Sequence, residues 1–548
     1  MAQLVLGPLL RYVSETHATV WVETDAPCTV SVLTGEATTF CVESHHYALV
    51  QIEDLAPGTT TPYEVALDGE RAWPENDDRF PHCAIRTLPG DGERLRLAFG
   101  SCRVSVPHHE PYTLRKDQDE RGREIDALYA LVQRMLRLPD TEWPHVALCL
   151  GDQVYADEVS PDTREFIRSR RSTKTGPGEE IADFEEYTVL YRESWTDPAL
   201  RWFFSTVSSS MIWDDHDVHD DWNTSHDWVQ TMRSKPWWDA RITGAVMSYW
   251  IYQHLGNLSP GELADNELWQ EVCRLGDAGE RLRDFARRAD RENQGTRWSY
   301  HRDLGRTRLI VLDSRAGRLL EPGERSMVDA DEWAWIVKHA HGDFDHLLLA
   351  SSLPMLLAPG MHHLEAWNEA VCEGAWGSLG ARVGERIRQG LDLEHWAAFD
   401  RSFDALAALM QSVAIGENGA APATVVALSG DVHHAYLADV AFRRGSAARS
   451  AVYQAVCSPV RNPLDSRERR VIKAMMSRPA HAVTHTLARA AGCQDPAMRW
   501  RICEGPWFDN QIATLDLEGR EVTFRIEKAR PGAGDHRHLE TVLERRLS

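Results

Sequence analysis

Polar side chains that can bind metal ions follow short apolar stretches at four separate places in the chain. The most specific of these is residues 151–157 (GDQVYAD). Asp152 carries two oxygens that can bridge two cations. Tyr155, three residues further on, can add a phenolate, which a hard trivalent ion such as Fe(III) favours. The alternative for this segment alone is a turn aspartate beside a core tyrosine.

A second cluster, residues 213–221 (WDDHDVHDD), concentrates carboxylates and imidazoles within nine positions. Carboxylates at this density repel one another unless a cation lies among them. We interpret the segment as a metal loop in which Asp215 is a ligand and His216 faces the substrate. A solvated acidic loop is the alternative. We expect the remaining polar residues of this loop to support the metal ligands from behind or to lie on the surface. They are Asp217, His219, Asp220 and Asp221.

Two further segments complete the set. In residues 428–434 (LSGDVHH), Asp431 and His433 are two positions apart, so on an extended segment both point to one side and can reach adjacent metals. In residues 99–103 (FGSCR), the thiolate of Cys102 can bind iron or zinc, and Arg103 can clamp a phosphoryl oxygen. A buried free cysteine is the commoner role of an isolated Cys.

The apolar stretches before these clusters predict strands buried on both faces, as in a parallel sheet. Functional groups at the carboxyl ends of such strands are typical of an α/β layered enzyme. We predict a helix over 124–136. The intervals 158–205, 222–298 and 358–420 are too long for simple connections and predict helical insertions that could roof the site.

The two ends of the chain differ from this α/β pattern. Residues 1–90 show short period-two runs, which predict a small all-β sandwich. Its turn at 55–59 and Tyr63 resemble fibronectin type III modules. Residues 87–92 predict a linker, and a second domain over 95–530 ends with strands at 508–528 that turn at 517–520. Residues 531–548 predict a helix or a frayed tail.

Composition excludes several kinds of partner. The 548 residues include 60 Lys and Arg and 83 Asp and Glu, for a net charge of −23. An acidic chain of this kind is unsuited to coating nucleic acid or an anionic membrane. The ten cysteines form no Cys-x-x-Cys pair, and the chain start lacks the features of a secretion signal. We therefore expect a cytoplasmic protein without membrane association.

The order of these motifs over residues 95–460 resembles that of PhoD-type alkaline phosphatases, within the calcineurin-like metallophosphoesterase superfamily. The resemblance implies an αββα sandwich with a dinuclear or multinuclear metal centre at the strand ends. It further implies hydrolysis of small phosphoesters, monoesters or diesters, by a metal-bound hydroxide. The amino-terminal sandwich is also similar to a module that many such proteins carry.

The family's first metal site maps onto four residues of this chain. Asp152 corresponds to the carboxylate that bridges both metals. Cys102, Tyr155 and His433 correspond to the remaining ligands of Fe(III).

The second site corresponds to Asp215, where the wider superfamily has an asparagine, and to Asp431, in place of a histidine. His216 corresponds to the histidine that assists the leaving group. Another superfamily histidine is replaced by serine at 351–352. Fewer imidazoles and more carboxylates favour a hard divalent ion, calcium or else magnesium or manganese.

Residues outside these motifs give weaker indications. Arg315 and Arg318, which follow Asp313, resemble another family signature. They could orient a phosphate or form a structural ion pair. The pairs at 108–109 and 362–363 are His-His without partner spacing, and we expect surface or loop positions for them.

Two other classes of function remain open from the sequence. A non-catalytic scaffold would use the sandwich for a partner and the metal fold as inert support. An iron oxidoreductase could use a tyrosinate–thiolate site, although no flavin or nicotinamide loop is present. The physiological substrate and the oligomeric state are also left open.

Overall fold

A computed structural model describes residues 1–75, 79–90, 93–292, 295–442, 448–532 and 536–548. Strands and helices are mixed through most of this length, and the first part is all β. The end of the predicted linker, residues 91–92, lies outside the described residues.

The described residues of the amino-terminal part form ten strands. They are β1 (Leu4–Val13), β2 (Ala18–Thr24), β3 (Thr29–Val32), β4 (Gly35–Thr38), β5 (Phe40–Val42), β6 (His45–Ile52), β7 (Thr60–Pro62), β8 (Val65–Leu67), β9 (Glu70–Trp73) and β10 (Ala84–Arg86). These strands pair into antiparallel sheets in the orders β1-β2-β6-β5, β4-β3-β8-β9 and β10-β7. Val20, Val50 and Val65 meet in one core between these strands. The predicted all-β region is confirmed, while its likeness to fibronectin and its boundary at residue 90 stay predictions.

Two larger sheets form the rest of the molecule. Their strands are β11 (Leu95–Gly100), β12 (Val146–Leu150), β13 (Ser208–Ile212), β14 (Tyr300–Leu304), β15 (Thr307–Leu312), β16 (His346–Ser351), β17 (Thr424–Ser429), β18 (Ala435–Phe442), β19 (Ala451–Val456), β20 (Met498–Trp507), β21 (Gln511–Glu518), β22 (Glu521–Pro531) and β23 (Arg537–Arg546). One sheet has the order β13-β12-β11-β21-β22-β23, and the other has the order β14-β15-β16-β17-β19-β18-β20. Apolar side chains of both sheets share one core, in which Leu97 and Leu148 meet Leu348 and Val426.

Parallel pairing explains how distant motifs come together. Strands β11, β12 and β13 run parallel in one sheet, and β15, β16 and β17 run parallel in the other. Each of the four motif clusters begins within a few residues of the carboxyl end of one of these strands. The fully buried patterns of β11 and β17 confirm the prediction of strands covered on both faces.

Fifteen α-helices among the described residues cover the sheets. They are α1 (Ala127–Met135), α2 (Pro161–Arg170), α3 (Phe184–Trp195), α4 (Pro198–Thr206), α5 (His226–Arg233), α6 (Trp238–Ser248), α7 (Pro260–Asp265), α8 (Glu267–Arg274), α9 (Gly279–Arg291), α10 (Ala330–His339), α11 (Pro359–Cys372), α12 (Gly377–Gly390), α13 (Asp400–Ile415), α14 (Ser466–Met475) and α15 (Arg478–Ala490). The predicted helix near 124–136 is α1, which Asp126 caps by accepting a bond from the Leu128 N–H at 2.9 Å. The three predicted helical insertions are confirmed. Of the described helices, none combines the length and the apolar character needed to cross a membrane.

The prediction of a helix or frayed tail at 531–548 is wrong. Residues 537–546 form β23, which pairs antiparallel with β22. The Arg- and Glu-rich composition suggested a helix, but these charges pair across the two strands. Arg525 lies 2.9 Å from Glu544, and Arg530 lies 2.8 Å from Glu540. The predicted hairpin before β22 is confirmed, since Glu518 pairs with Glu521.

The expectation of a surface or loop position is also wrong for His362. It lies in α11 and is 3% exposed. Its ring packs 4.7 Å from both the Phe403 ring and the Trp500 ring, measured between centroids. His362 therefore packs in an apolar core and does not lie at the surface. His108 and His109 lie in a loop, as expected.

Candidate metal centre

The predicted metal ligands meet at the carboxyl ends of the parallel strands. Ligand atoms of Cys102, Asp152 and His433 lie within 4.8 Å of one another, and so do those of Asp152, Asp215 and His216. Because Asp152 belongs to both groups, it lies between them. A third group of the same kind, formed by Asp214, Asp215 and Asp431, adjoins the second.

The backbone at several of these positions adopts a conformation that side-chain-bearing residues rarely take. The φ angles are +57° at Cys102, +52° at Asp152, +63° at Asp431 and +51° at His433. These values lie in the left-handed region, where a non-glycine residue is strained. Such strain is kept mainly at functional sites, where it directs side chains that a regular strand end would not direct.

Two glycines allow the strand-end loops to approach each other. A Cβ at Gly151 would collide with the Asp214 side chain, and a Cβ at Gly430 would overlap the Ser101 hydroxyl. The turn before Asp152 therefore requires glycine for close packing as well as for its φ of +102°.

Short hydrogen bonds surround the first group of ligands. The Tyr155 hydroxyl donates to Asp152 Oδ2 at 3.2 Å and accepts from the Asn462 amide at 3.2 Å. The Ser458 hydroxyl donates to Cys102 Sγ at 3.2 Å. Cys102 and Tyr155 are thus each bonded to a residue of the 458–462 segment, far away in the sequence.

One carboxylate oxygen of Asp152, Oδ1, is buried and lacks a hydrogen-bond partner among the described residues. Burial, together with the charges of Asp215 and Asp217, raises the pKa of this carboxyl well above its usual range. A cation at this position would remove that penalty. With thiol, carboxylate, phenol and imidazole converging here, the residues present fit a metal ion.

Arg315 contacts every member of the third group. Its guanidinium forms an ion pair with Asp214 and lies 2.6 Å from Glu394, 3.3 Å from Asp215 and 3.8 Å from Asp431. The side chain is fully buried. These contacts are those of a structural ion pair, one of the two alternatives for this residue, and a role for Arg315 in orienting phosphate stays a prediction.

The other two arginines also have carboxylate partners. Arg318 lies 3.2 Å from Glu394, and Arg103 lies 2.9 Å from Asp126. Arg103 also lines a cavity of about 150 Å³ beside Tyr155. A role for Arg103 in binding phosphate stays a prediction.

His216 is paired with a carboxylate that sequence reasoning left without a role. Its Nδ1 lies 3.0 Å from both oxygens of Asp157, and its ring centroid lies 4.7 Å from that of Tyr155. Burial opposes a charge on His216, but Asp157 and Asp215 raise the pKa of the imidazole well above its usual value. Asp157 ends the same GDQVYAD motif as Asp152, so the signal was present in the sequence.

His395 is a second functional residue that sequence reasoning missed. Its Nε2 lies 3.0 Å from Asp431 Oδ2, and its Nδ1 lies 2.7 Å from Glu365 Oε1. Glu365 lies in α11 of the insertion at 358–420, and Asp431 follows β17, so the two partners are far apart in sequence. Burial again opposes the charge, and Glu365 and Asp431 raise the pKa of His395 well above its usual value. Neither His395 nor Glu365 belongs to a sequence motif with a recognisable residue spacing.

The remaining acidic residues of the 213–221 loop support the turns. Asp217 accepts the backbone N–H of Asp152 at 3.0 Å and that of Asp214 at 2.9 Å. The backbone N–H of Asp221 donates to Asp215 Oδ2 at 3.0 Å. His219 is partly exposed, and Asp220 is exposed.

Comparison with known proteins identifies the domain that holds this centre. Residues 125–318 match the family model described as PhoD-like phosphatase. The chain carries a PhoD-like phosphatase domain. This domain makes it a phosphoester hydrolase, as the motifs predict. Asp152, Tyr155, Asp215 and His216 lie inside the matched range, and the fold brings the remaining predicted ligands to them from outside it.

Other comparisons concern the fold and the amino terminus. A solved structure described as "Structure of PhoD" is 13% identical, with a TM-score of 0.59, and the match covers 99% of this chain and 92% of that chain. At this identity the likeness shows the fold, and it confirms the predicted architecture. Residues 1–85 match a domain of unknown function, DUF7800. No curated protein matches the chain.

Proposed function

We propose that the PhoD-like domain hydrolyses small phosphoesters at two metal ions that share Asp152. Cys102, Tyr155 and His433 would complete the ligand set of one ion. A thiolate and a phenolate suit Fe(III). The proposal is supported by the two ligand groups that have Asp152 in common.

Asp215 and Asp431 would hold the second ion, which we propose to be calcium, or else magnesium or manganese. Both ligands supply hard carboxylate oxygens, which these ions prefer. When bound, such a pair supplies Lewis-acid polarisation of the phosphoryl oxygens and an acidified water as the nucleophile.

The side chains around this centre carry the rest of the chemistry. Water gives one proton to the solvent, and its oxygen forms a bond to phosphorus while the bond to the leaving oxygen breaks. His216, kept protonated by Asp157 at 3.0 Å, gives its proton to that leaving oxygen. General acid catalysis of this kind typically contributes ~10²–10⁴-fold to the rate.

The single observation that carries the proposal is the buried, unpartnered Oδ1 of Asp152. We expect Asp152→Asn to lose bound metal and hydrolysis of a chromogenic phosphoester together. Asp284→Asn, on the exposed face of α9, is the matched control and should keep both. If Asp152→Asn were as active as the wild type, the proposal would be wrong. A wild-type protein that held no metal and cleaved no mono- or diester would favour the scaffold function instead.

Iron can be tested separately from the second ion. A tyrosinate bound to Fe(III) absorbs visible light through charge transfer. We expect the pure protein to show such a band and Tyr155→Phe to lose it while keeping its folded circular dichroism spectrum. A colourless wild-type protein that contains only divalent ions would exclude iron but leave metal-dependent hydrolysis intact.

A further inference from the structure

Three histidines come together where α15 packs against α11. His363 lies on α11, and His481 and His485 lie on α15. The last two are four positions apart, so they project from the same face of α15 on successive turns. The ring centroids are 5.2 Å apart for 363 and 481, 4.8 Å for 363 and 485, and 5.8 Å for 481 and 485.

These separations match those of imidazoles around one metal ion. With zinc–nitrogen bonds of ~2.0–2.1 Å and a tetrahedral arrangement, neighbouring ring centres lie about 5 Å apart. As the rings stand, their nitrogens do not all lie within 4.8 Å of one another. Binding one ion therefore requires at least one ring to turn, which the broad χ2 range of histidine allows. The two helices are therefore already spaced for a shared ion.

A carboxylate already supports one of the three rings. Asp495 Oδ1 lies 2.8 Å from His485 Nε2, and Asp495 also pairs with Arg489 at 3.4 Å. A carboxylate that accepts from one ring nitrogen fixes the tautomer and leaves the lone pair on the other nitrogen, which for His485 is Nδ1. This carboxylate–histidine arrangement is common behind metal-bound imidazoles.

The ring of His363 is neutral at neutral pH, and the cluster can be reached from solvent. Burial and the neighbouring imidazoles of His485 and His481 lower the pKa of His363 to about 4, so its ring carries a free lone pair at neutral pH. His363 and Asp495 line an open cavity of about 640 Å³, and His481 is exposed to solvent. An ion can reach the three rings without displacing other side chains.

We propose that His363, His481 and His485 form a binding site for a divalent transition metal, with zinc the best match to three imidazoles. The site clamps α15 to α11. It is separate from the phosphatase centre, and it does not depend on the function proposed above.

Metal content after equilibrium dialysis against zinc tests this proposal on the full chain. The test is made in Asp152→Asn, so that the proposed phosphatase centre contributes little. We expect about one bound zinc per chain in this background and its loss when His481→Gln and His485→Gln are added. His82→Gln, at an exposed position elsewhere, is the matched control and should keep the ion. Equal zinc content with and without the two α15 substitutions would overturn the proposal.

A second variant tests the geometry and guards against misfolding. We expect Asp495→Asn to weaken zinc affinity about 10- to 100-fold, because His485 loses the carboxylate that sets its tautomer. Zinc should raise the melting temperature of the parent protein but not that of the His481→Gln, His485→Gln variant. Equal melting temperatures of the two without zinc show that both are folded. A zinc-dependent shift that survives the double substitution would contradict the site.

Discussion

His395 Nε2 lies 3.0 Å from Asp431 Oδ2, and the other nitrogen of the same ring lies 2.7 Å from Glu365. His395, in the helical insertion at 358–420, thus contacts Asp431, a predicted ligand of the second metal. The helical insertion at 358–420 therefore contacts the proposed metal centre through His395.

The first prediction concerns this contact. We expect His395→Gln to weaken binding of the second ion about 10- to 100-fold, because Asp431 loses the partner that orients it. Titration of activity with calcium or manganese should show a curve displaced to higher concentration, with the maximal rate largely recovered. The exposed substitution His538→Gln is the control. An unchanged metal dependence would mean that His395 does not position Asp431.

Asp157 gives a prediction about pH. The protonated form of His216 is the acid, and Asp157 raises the pKa of that imidazole. In Asp157→Asn the pKa of His216 falls, so the imidazole loses its proton at lower pH. The alkaline limb of the kcat profile therefore shifts to lower pH. We expect the rate to fall by up to the ~10²–10⁴-fold of general acid catalysis. An alkaline limb that does not move would show that another group sets it.

Arg315 distinguishes a structural role from a substrate-binding role. Its removal leaves Asp214 buried without its cation and leaves Glu394 with Arg318 as its remaining arginine. Removing one partner of a buried ion pair typically costs about 3–5 kcal/mol. We expect Arg315→Gln to lower the free energy of unfolding by that order in urea titrations. Arg382→Gln on the exposed face of α12 should have little effect. Unchanged stability with a strongly raised KM would instead assign Arg315 to the phosphate.

Acid stability depends in part on His362. Burial lowers its pKa from 6.5 to about 3. The folded protein therefore keeps this ring neutral, while the unfolded chain takes up a proton below pH 6.5. Stability from this group is fully present above that pH and is lost toward pH 3, by about 1.4 kcal/mol per pH unit.

We expect His362→Phe to remove this dependence, because the ring of phenylalanine fits between Phe403 and Trp500 and does not titrate. Unfolding free energies at pH 7.5 and pH 5 should differ less in the variant than in the wild type. Parallel pH profiles for the two proteins would contradict the assignment.

The sequence predicted the part of the centre that follows directly from local pattern. Asp152 and Asp215 each follow a buried strand of one sheet, and neighbouring parallel strands bring such residues to the same edge. Asp431 follows a strand of the other sheet and meets them because the two sheets pack on one core. His395 and Glu365 could not be predicted in this way, because their positions follow from how a long insertion packs. Likewise β23 was missed, because its alternating charges are stabilised only by the pairing with β22.

The positions of bound metals test the central claim most directly. Anomalous difference maps from crystals of the purified protein would locate them without reference to activity. The account predicts two peaks that share Asp152, one beside Cys102 and His433 and the other beside Asp215 and Asp431. The absence of any peak next to Asp152 in protein that hydrolyses phosphoesters would contradict it.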